Sequence, residues 1–415
     1  MSRLRSYIDR IRRSKDGKTL AANFGYLTLL QVASYLFPLI TMPYLARVIG
    51  VDGFGKIAFA SAIITWFQTI TDWGFNYTAT RDVAKNRDNT DEVSNIFSTV
   101  FWARCTLMII SLIILLVLVA FIPIFRENVA VILVTFLLIP GHIMFPDWFF
   151  QALEKMQYIT IFNIVIRLFF TVAVFVCIKS ADDYLIQPLL VSLGYLLSGA
   201  IALYVIMYKW HYRLHKSSAK DIFTTIRRST DVFLNNLMPN LYNSFSVILL
   251  GMFGGQVANG LLDAGSKFVN LLQQFVSVLS RTFFPYLSRN IDKHKVYVQL
   301  NLAISLCASV ALFVMADWLI GLFFTEAFAG AVLILRIMSV SILFNALSNI
   351  YGTNYLIIVG QEKALRNMTM LASVIGFAIS FPLIYFYGAI GAAITITATR
   401  GVLGLFIMLK AKSVA

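Results

Sequence analysis

Cys105–Ile122 reads CTLMIISLIILLVLVAFI, 18 residues without a charged or amide side chain. The hydrocarbon core of a bilayer is crossed by about 20 apolar residues of helix, and inside it every backbone N–H and C=O must be satisfied within the segment. The run is too long and too apolar for a helix on the surface of a soluble domain, so it reads as one membrane crossing. Working outward from it, the same signal recurs along the chain. Twelve spans are expected, near 22–48, 54–80, 95–122, 129–152, 157–178, 185–208, 229–253, 258–285, 296–322, 329–357, 366–386 and 389–409. The composition agrees: of 415 residues 59% are hydrophobic and 13% charged, with a mean hydropathy of +0.78. Soluble domains carry about 25% charged residues.

The net charge of +14 would suggest nucleic acid in a soluble protein. Here the basic residues have another explanation. The N-terminus (Arg3 to Lys18), the loops near 81–94, 153–156, 209–228 and 286–295, the 358–366 region and the C-terminal tail hold 24 of the 34 Lys and Arg. The opposite side has Lys56, Arg126 and Lys179. Cytoplasmic loops carry such an excess, so both termini are expected in the cytoplasm and no nucleic acid is implied. The stretch 23–48 is longer than a signal-peptide core, and more spans follow it. Cys105, Cys177 and Cys307 lie in apolar segments at no metal-ligand spacing, so no metal or disulfide is expected.

The loop 209–228 divides the chain into a basic N-terminus (1–21), a six-helix half (22–208), a linker (209–228), a second six-helix half (229–409) and a tail (410–415). The halves look like a weak repeat. Gly50, Gly55 and Ser61 match Gly255, Gly260 and Ser266, each 205 residues on, and Glu154-Lys155 matches Glu362-Lys363 after 208. Repeated halves with a site near their interface are a common transporter plan. Prolines inside spans, Pro38, Pro43, Pro140, Pro146, Pro239 and Pro382, remove backbone hydrogen bonds and bend their helices, offering hinges.

Charge inside a membrane costs roughly 2.5–3.5 kcal/mol per residue at a helix centre and is expected to face the bundle interior. Arg104, Arg167, Lys267, Arg281, Arg336 and Arg400 fall within spans, against Asp72, Asp147 and Asp263. Asp263 and Lys267, four apart on one helix, either neutralise each other or serve a ligand. Arg104 and Arg167 either tie Asp72 or Asp147 in place or line a cavity. Arg47 and Asp317, at span ends, are expected to reach the interface. Six cations against three anions favour an anionic ligand. A polar stripe on span 2 (Thr65, Gln68, Thr69, Asp72, Asn76, Thr80) is interrupted by Trp73-Gly74, and span 7 carries Asn235, Asn236, Asn240 and Asn243. Amides and hydroxyls suit a sugar; interhelical hydrogen bonding is the other reading.

Catalytic signatures are absent. No HExxH, nucleophile elbow or phosphate loop occurs, and no loop exceeds about 20 residues, shorter than the loop expected to carry catalysis in a membrane glycosyltransferase or polymerase. No cofactor is expected.

Several motifs carry a resemblance: Pro43-Tyr44-Leu45-Ala46-Arg47-Val48-Ile49-Gly50 followed by Gly53-Phe54-Gly55; Asp72-Trp73-Gly74-Phe75-Asn76-Tyr77-Thr78-Ala79-Thr80-Arg81; Pro146-Asp147-Trp148-Phe149-Phe150-Gln151-Ala152-Leu153-Glu154-Lys155-Met156; and Phe284-Pro285-Tyr286-Leu287-Ser288-Arg289. Over essentially its whole length the chain resembles the polysaccharide transporter (O-antigen flippase) family of the multidrug/oligosaccharidyl-lipid/polysaccharide exporter superfamily. The resemblance implies two six-helix bundles facing each other and alternating between inward and outward openings. It implies transport of a polyprenyl-pyrophosphate-linked oligosaccharide across the bacterial inner membrane, with membrane lipids, a polysaccharide polymerase and a chain-length regulator as partners, and not an enzyme. Other exporters of the superfamily and, less favoured, a membrane polymerase are the alternatives. Arg104, Lys267, Arg281, Arg336 and Arg400 are the candidate headgroup residues. Asn76, Asn236 and Asn240 are the candidate sugar partners, and Asp72 and Asp263 the candidates for ion coupling.

Overall fold

The structure, a computed structural model, describes residues 15–414, with side chains from Gly25 onward apart from those of Leu27, Tyr35 and Pro285. The basic side chains from Arg3 to Lys18 lie outside the described residues. All regular structure among the described residues is helical. Nine segments among them are long and apolar enough to cross a membrane, including Thr90–Phe121, Met156–Cys177 and Glu362–Val414. Large apolar side chains stand on the outer surface along these segments, with Phe121 80% and Phe386 74% exposed. No soluble monomer presents so extensive an apolar exterior; this is a multi-pass membrane protein.

Local chemistry sets the helix limits. The first helix, α1 (Lys15–Val48), holds Pro38 and Pro43. After Gly50 (φ 66°) comes α2 (Gly50–Asp72), which stops at Trp73 (φ 40°) and Gly74 (φ 78°), two consecutive left-handed residues. The polar stripe expected on one continuous helix is thus split between α2 and α3 (Phe75–Lys85). Next is α4 (Thr90–Phe121), whose Asn89 side chain accepts the Glu92 amide, with Asp91 and Glu92 in the first turn. It ends where Ile122 turns extended ahead of Pro123. Three short helices, α5 (Val129–Phe136), α6 (Leu138–Met144) and α7 (Asp147–Ala152), together make one crossing, broken before Pro146. Then come α8 (Met156–Cys177) and α9 (Ile186–Tyr204). The helix α10 (Ala219–Leu237) begins inside the stretch read as a linker, capped by Ser218, and unwinds at Pro239.

The two longest helical runs are hairpins. In α11 (Ser244–Leu287) Gly255 has φ 77° and ψ −179°. A Cβ on Gly251 would lie 2.8 Å from the side-chain amide nitrogen of Asn259. Eight residues span about 12 Å in a straight helix, so the chain folds back at Gly255. The final helix, here α16 (Glu362–Val414), does the same at Gly388 (φ 54°), bringing Gly391 against the Leu383 carbonyl. Between them lie α12 (His294–Val314), α13 (Ala316–Phe323), α14 (Ala331–Ser339) and α15 (Ser341–Leu347).

The repeat has a geometric counterpart. A Cβ on Gly55 would fall 1.7 Å from the Gln256 carbonyl, and one on Gly260 would fall 2.2 Å from the Val51 carbonyl. Gln256 follows Val51 by the same 205 residues that separate Gly55 from Gly260. The contact is therefore reciprocal, as across a two-fold axis. A second correspondence runs at a different offset from the one expected. Glu154 (φ 58°) and Gly360 (φ 75°) hold the same left-handed place. The next residue in each case, Lys155 or Gln361, donates its amide to the carbonyl five residues before it.

One apolar core joins both parts of the chain at the Gly255 end: Met42, Leu45, Ile49 and Phe54 pack with Leu250, Phe268, Phe324 and Phe328. A second core, at the Trp73 end, gathers Phe75, Phe97, Trp148, Phe149 and Phe150. Here α2 and α3 meet α10: Trp73 stacks on Phe233 at 3.8 Å, Gly74 abuts Val232, and Thr78 hydrogen-bonds Ser229 at 2.8 Å.

Candidate substrate cavity

Two adjoining cavities lie between these cores and share Ile57, Asp263 and Lys267. One, of about 300 Å³, is bounded by α1, α8, α9 and α11. Its walls are mostly apolar (Phe37, Met42, Ile166, Phe170), with Asn163, Arg167, Gln187 and Tyr195 among them. The other, of about 360 Å³, is lined by Ser61 and Thr65 from α2, Asn243 next to α11, Asn259, Ser266 and Asn270 from α11, and Arg400 from α16. Asn259 is fully buried, and neither of its amide atoms has a hydrogen-bond partner among the described residues. A buried amide left in that state is expensive unless a ligand or water completes it.

The charges around this space are unequal. Asp263 and Lys267 form an ion pair at 3.1 Å, one turn apart on α11. Arg400 reaches Ser341 at 3.1 Å and Asn243 at 3.2 Å, both neutral groups. Arg167 donates to the Ser34 carbonyl at 3.5 Å, and its Nε has no partner among the described residues. Three cations against one carboxylate leave the paired cavities positive.

Of the candidate binding and coupling residues, Lys267, Asp263 and Arg400 meet here, joined by Arg167, Thr65 and Asn243 from the intramembrane charges and polar stripes. Asn240 sits at the margin of the site, donating to Thr69 at 2.8 Å, an interhelical tie of the kind that was the other reading of the stripes. Asn236 lines a separate open cavity with Tyr77, Asp231, Asn235 and Arg366 near the Trp73 end, and Asn76 is exposed. Arg336 is half-buried, paired with the exposed Asp317 over the ring of Phe313. Arg281 is exposed and lines neither central cavity. Arg104 and Asp72 pair with each other deeper among the first helices.

Arg167, Asn259 and Asn270 are cavity residues outside the candidate set read from the sequence. The signal for two of them was present: Asn259, Asp263, Lys267 and Asn270 are spaced four, four and three apart, one face of a helix.

A model of polysaccharide biosynthesis proteins matches residues 20–291, well over half of the chain. The chain belongs to that family. Within the same range lie the left-handed breaks at Gly50, Trp73-Gly74 and Glu154 and the Asp263–Lys267 pair. Among curated proteins, the chain is 28% identical over 390 residues to the "Putative O-antigen transporter" of Escherichia coli (strain K12), covering 92% of this chain and 94% of that one. It is 26% identical over 394 residues to the protein of the same name in Shigella dysenteriae, covering 94% and 99%. Among solved structures it is similar to the lipid II flippase MurJ in an inward closed conformation (TM-score 0.73, 12% identity, 94% of this chain and 87% of that one). It is also similar to a multidrug resistance MATE family transporter of the MOP superfamily in an inward-facing conformation (TM-score 0.66, 12% identity, 94% and 97%). At these identities the structural likeness establishes the fold.

Proposed function

We propose that this protein is a flippase for a polyprenyl-pyrophosphate-linked oligosaccharide, moving it from the cytoplasmic to the periplasmic leaflet of the bacterial inner membrane by alternating access. The observation that carries the reading is the pair of joined cavities with Arg167, Lys267 and Arg400 facing a single carboxylate, Asp263. The cations suit a pyrophosphate. The amides and hydroxyls of the second cavity, with the unpartnered Asn259, suit sugar hydroxyls. The apolar wall of the first suits the proximal part of a prenyl chain. The names of the two bacterial relatives and the flippase title of a structural neighbour support the same substrate class.

In this reading the chain makes twelve crossings in two halves, 22–208 and 229–409, joined by 209–228, with both termini in the cytoplasm. The hairpins at Gly255 and Gly388 support the count, since each divides one helical run into two crossings. The positive loops then place the Gly255 end outside. The apolar core and the reciprocal Gly55–Gly260 contact close that side, and the seam of α2 and α3 with α10 covers the other. Asp263, inside the cavity, and Asp72 are the candidates for coupling to an ion. A polymerase and a chain-length regulator act downstream. The protein itself breaks no bond.

The test is flipping by purified protein in liposomes. Polyprenyl-pyrophosphate oligosaccharide is placed in both leaflets and probed from outside with a glycan-modifying enzyme, with and without a proton or sodium gradient. Protein-dependent access to the protected pool supports the flippase. Failure with and without gradients, across several glycans, moves the assignment to export of another amphipathic anion.

A further inference from the structure

Away from the cavities, Asp72, Arg104 and Asp147 form a charged cluster inside the first six crossings. Arg104 is 5% exposed. Its Nη2 donates to Asp72 and its Nη1 to the His142 carbonyl at 3.2 Å, while its Nε has no partner among the described residues. Asp147 is half-buried, but its Oδ1 is covered and has no hydrogen-bond partner among the described residues. Asp147 opens α7, five residues beyond His142, in the same broken crossing that Arg104 grips. A buried donor atom on Arg104 and a buried acceptor atom of opposite charge on the crossing it grips are thus both left without a partner among the described residues.

From the geometry we infer that Asp147 is a proton-binding site, and that its proton decides whether Arg104 holds Asp72 alone or is shared between the two carboxylates. Two carboxylates beside one guanidinium carry a net negative charge in a buried place, which is costly unless one of them is neutral. A proton neutralises one carboxylate without approaching the guanidinium. A metal ion would sit beside Arg104, and no group of three or more acidic, His or Cys side chains suited to a metal occurs among the described residues. The other titratable groups on the elements packed here are His142 on α6, whose ring stacks on Tyr195 of α9 at 4.3 Å, and Arg167 on α8, which lines the first cavity with Tyr195. From α3 the contact to this segment is neutral, Thr80 donating to the Trp148 carbonyl at 3.2 Å.

The consequence follows from where Asp72 lies. It is the last residue of α2, directly before the left-handed pair Trp73-Gly74. That pair carries the stack on Phe233 and the contact with Val232, the seam with α10. With Asp147 protonated, Arg104 anchors the end of α2 and the seam stays closed. When the proton leaves to water, the free Nε is drawn to Asp147, the hold on Asp72 weakens, and the break between α2 and α3 is released.

The test needs no substrate, so it is independent of the flippase assignment. Full-length protein in lipid is titrated from acid to alkaline buffer while infrared difference spectra are recorded, with carbon-13 in the aspartate carboxyls. The expected result is a protonated-carboxyl band that shifts with the label and disappears on alkalinisation. It is absent in Asp147→Asn, moved to the glutamate position in Asp147→Glu, and kept in Asp263→Asn. Spin labels at Tyr77→Cys and Asn236→Cys, with Cys105, Cys177 and Cys307 replaced, should report a distance change across the seam over the same pH range. In Asp147→Asn the distance should stay at its acid value throughout. No band in the parent protein, or a band that survives in Asp147→Asn with none at the glutamate position in Asp147→Glu, overturns the site. A normal band with an unchanged spin-label distance overturns its link to the seam.

Discussion

Arg104 and Arg336 look alike in the sequence: each is a lone arginine in an apolar run, and each turns out to be ion-paired with an aspartate. Burial separates them. Arg104 is shielded on all sides and its partner Asp72 is mostly covered, whereas Arg336 is only half-buried and Asp317 is exposed. Removing one partner of a buried pair leaves an uncompensated charge, so Arg104→Ala should cost about 3–5 kcal/mol. Arg336→Ala should cost about 0–1 kcal/mol. Thermal unfolding in detergent compares the two, and similar losses would contradict the burial difference. At the cavity, Arg400 bonds the neutral groups Ser341, Asn243 and Tyr242 and forms no ion pair among the described residues, which leaves its charge for a ligand. A lost hydrogen bond to a charged group is worth about 1.5–3 kcal/mol, so Arg400→Ala should slow flipping by roughly one to two orders of magnitude without comparable loss of Tm. Asp72→Asn should also lower flipping, and full activity at normal expression would remove Asp72 from the mechanism.

At the level of elements, glycines mark the places where two backbones meet or one reverses. Gly255 has extended ψ with positive φ, a region closed to residues with a Cβ. Gly255→Ala should cost about 1–3 kcal/mol, measured by Tm, with the hairpin between the two arms of α11 strained. Gly55 differs, because its own φ is helical and the obstacle is the Gln256 carbonyl across the contact. Gly55→Ala should therefore push α2 from α11 and weaken the closed Gly255 end, seen as faster labelling of a cysteine at Phe54. The split of the polar stripe at Trp73-Gly74 belongs to this scale too. The two residues were visible as an interruption. The left-handed backbone and the stack on Phe233 were not, since both depend on α10 lying alongside.

At the scale of the molecule, transport by alternating access requires the Gly255 end to open. Val51 and Gly260 face each other there across the two parts of the chain. A disulfide between Val51→Cys and Gly260→Cys, in a background without Cys105, Cys177 and Cys307, should abolish flipping, and reductant should restore it. Continued flipping by the oxidised protein would argue against opening at that end. The reciprocal contact of Gly55 and Gly260 is where the sequence repeat becomes physical: the matched glycines are the points at which two related helices cross most closely. The Glu154 and Gly360 turns show the limit of matching letters, because the backbone correspondence lies two residues from the Glu-Lys pairs that suggested it.

The sequence by itself determined that this is a helical multi-pass membrane protein, and its motifs pointed to the family. Both are one-dimensional properties: a run such as Cys105–Ile122 must be helical in lipid whatever surrounds it, and Lys and Arg outside the spans sort by side without reference to packing. It also marked Lys267, Asp263 and Arg400, because intramembrane charge is conspicuous anywhere. Only the tertiary structure decided which charges meet. Arg336 went to the surface and Arg400 to the cavity, although both are lone arginines in apolar runs, because the face a helix turns inward depends on what packs against it. Asn259 and Asp147 gained their interest in the same way. An amide or carboxylate is ordinary in a sequence and becomes consequential only when folding buries it without a partner.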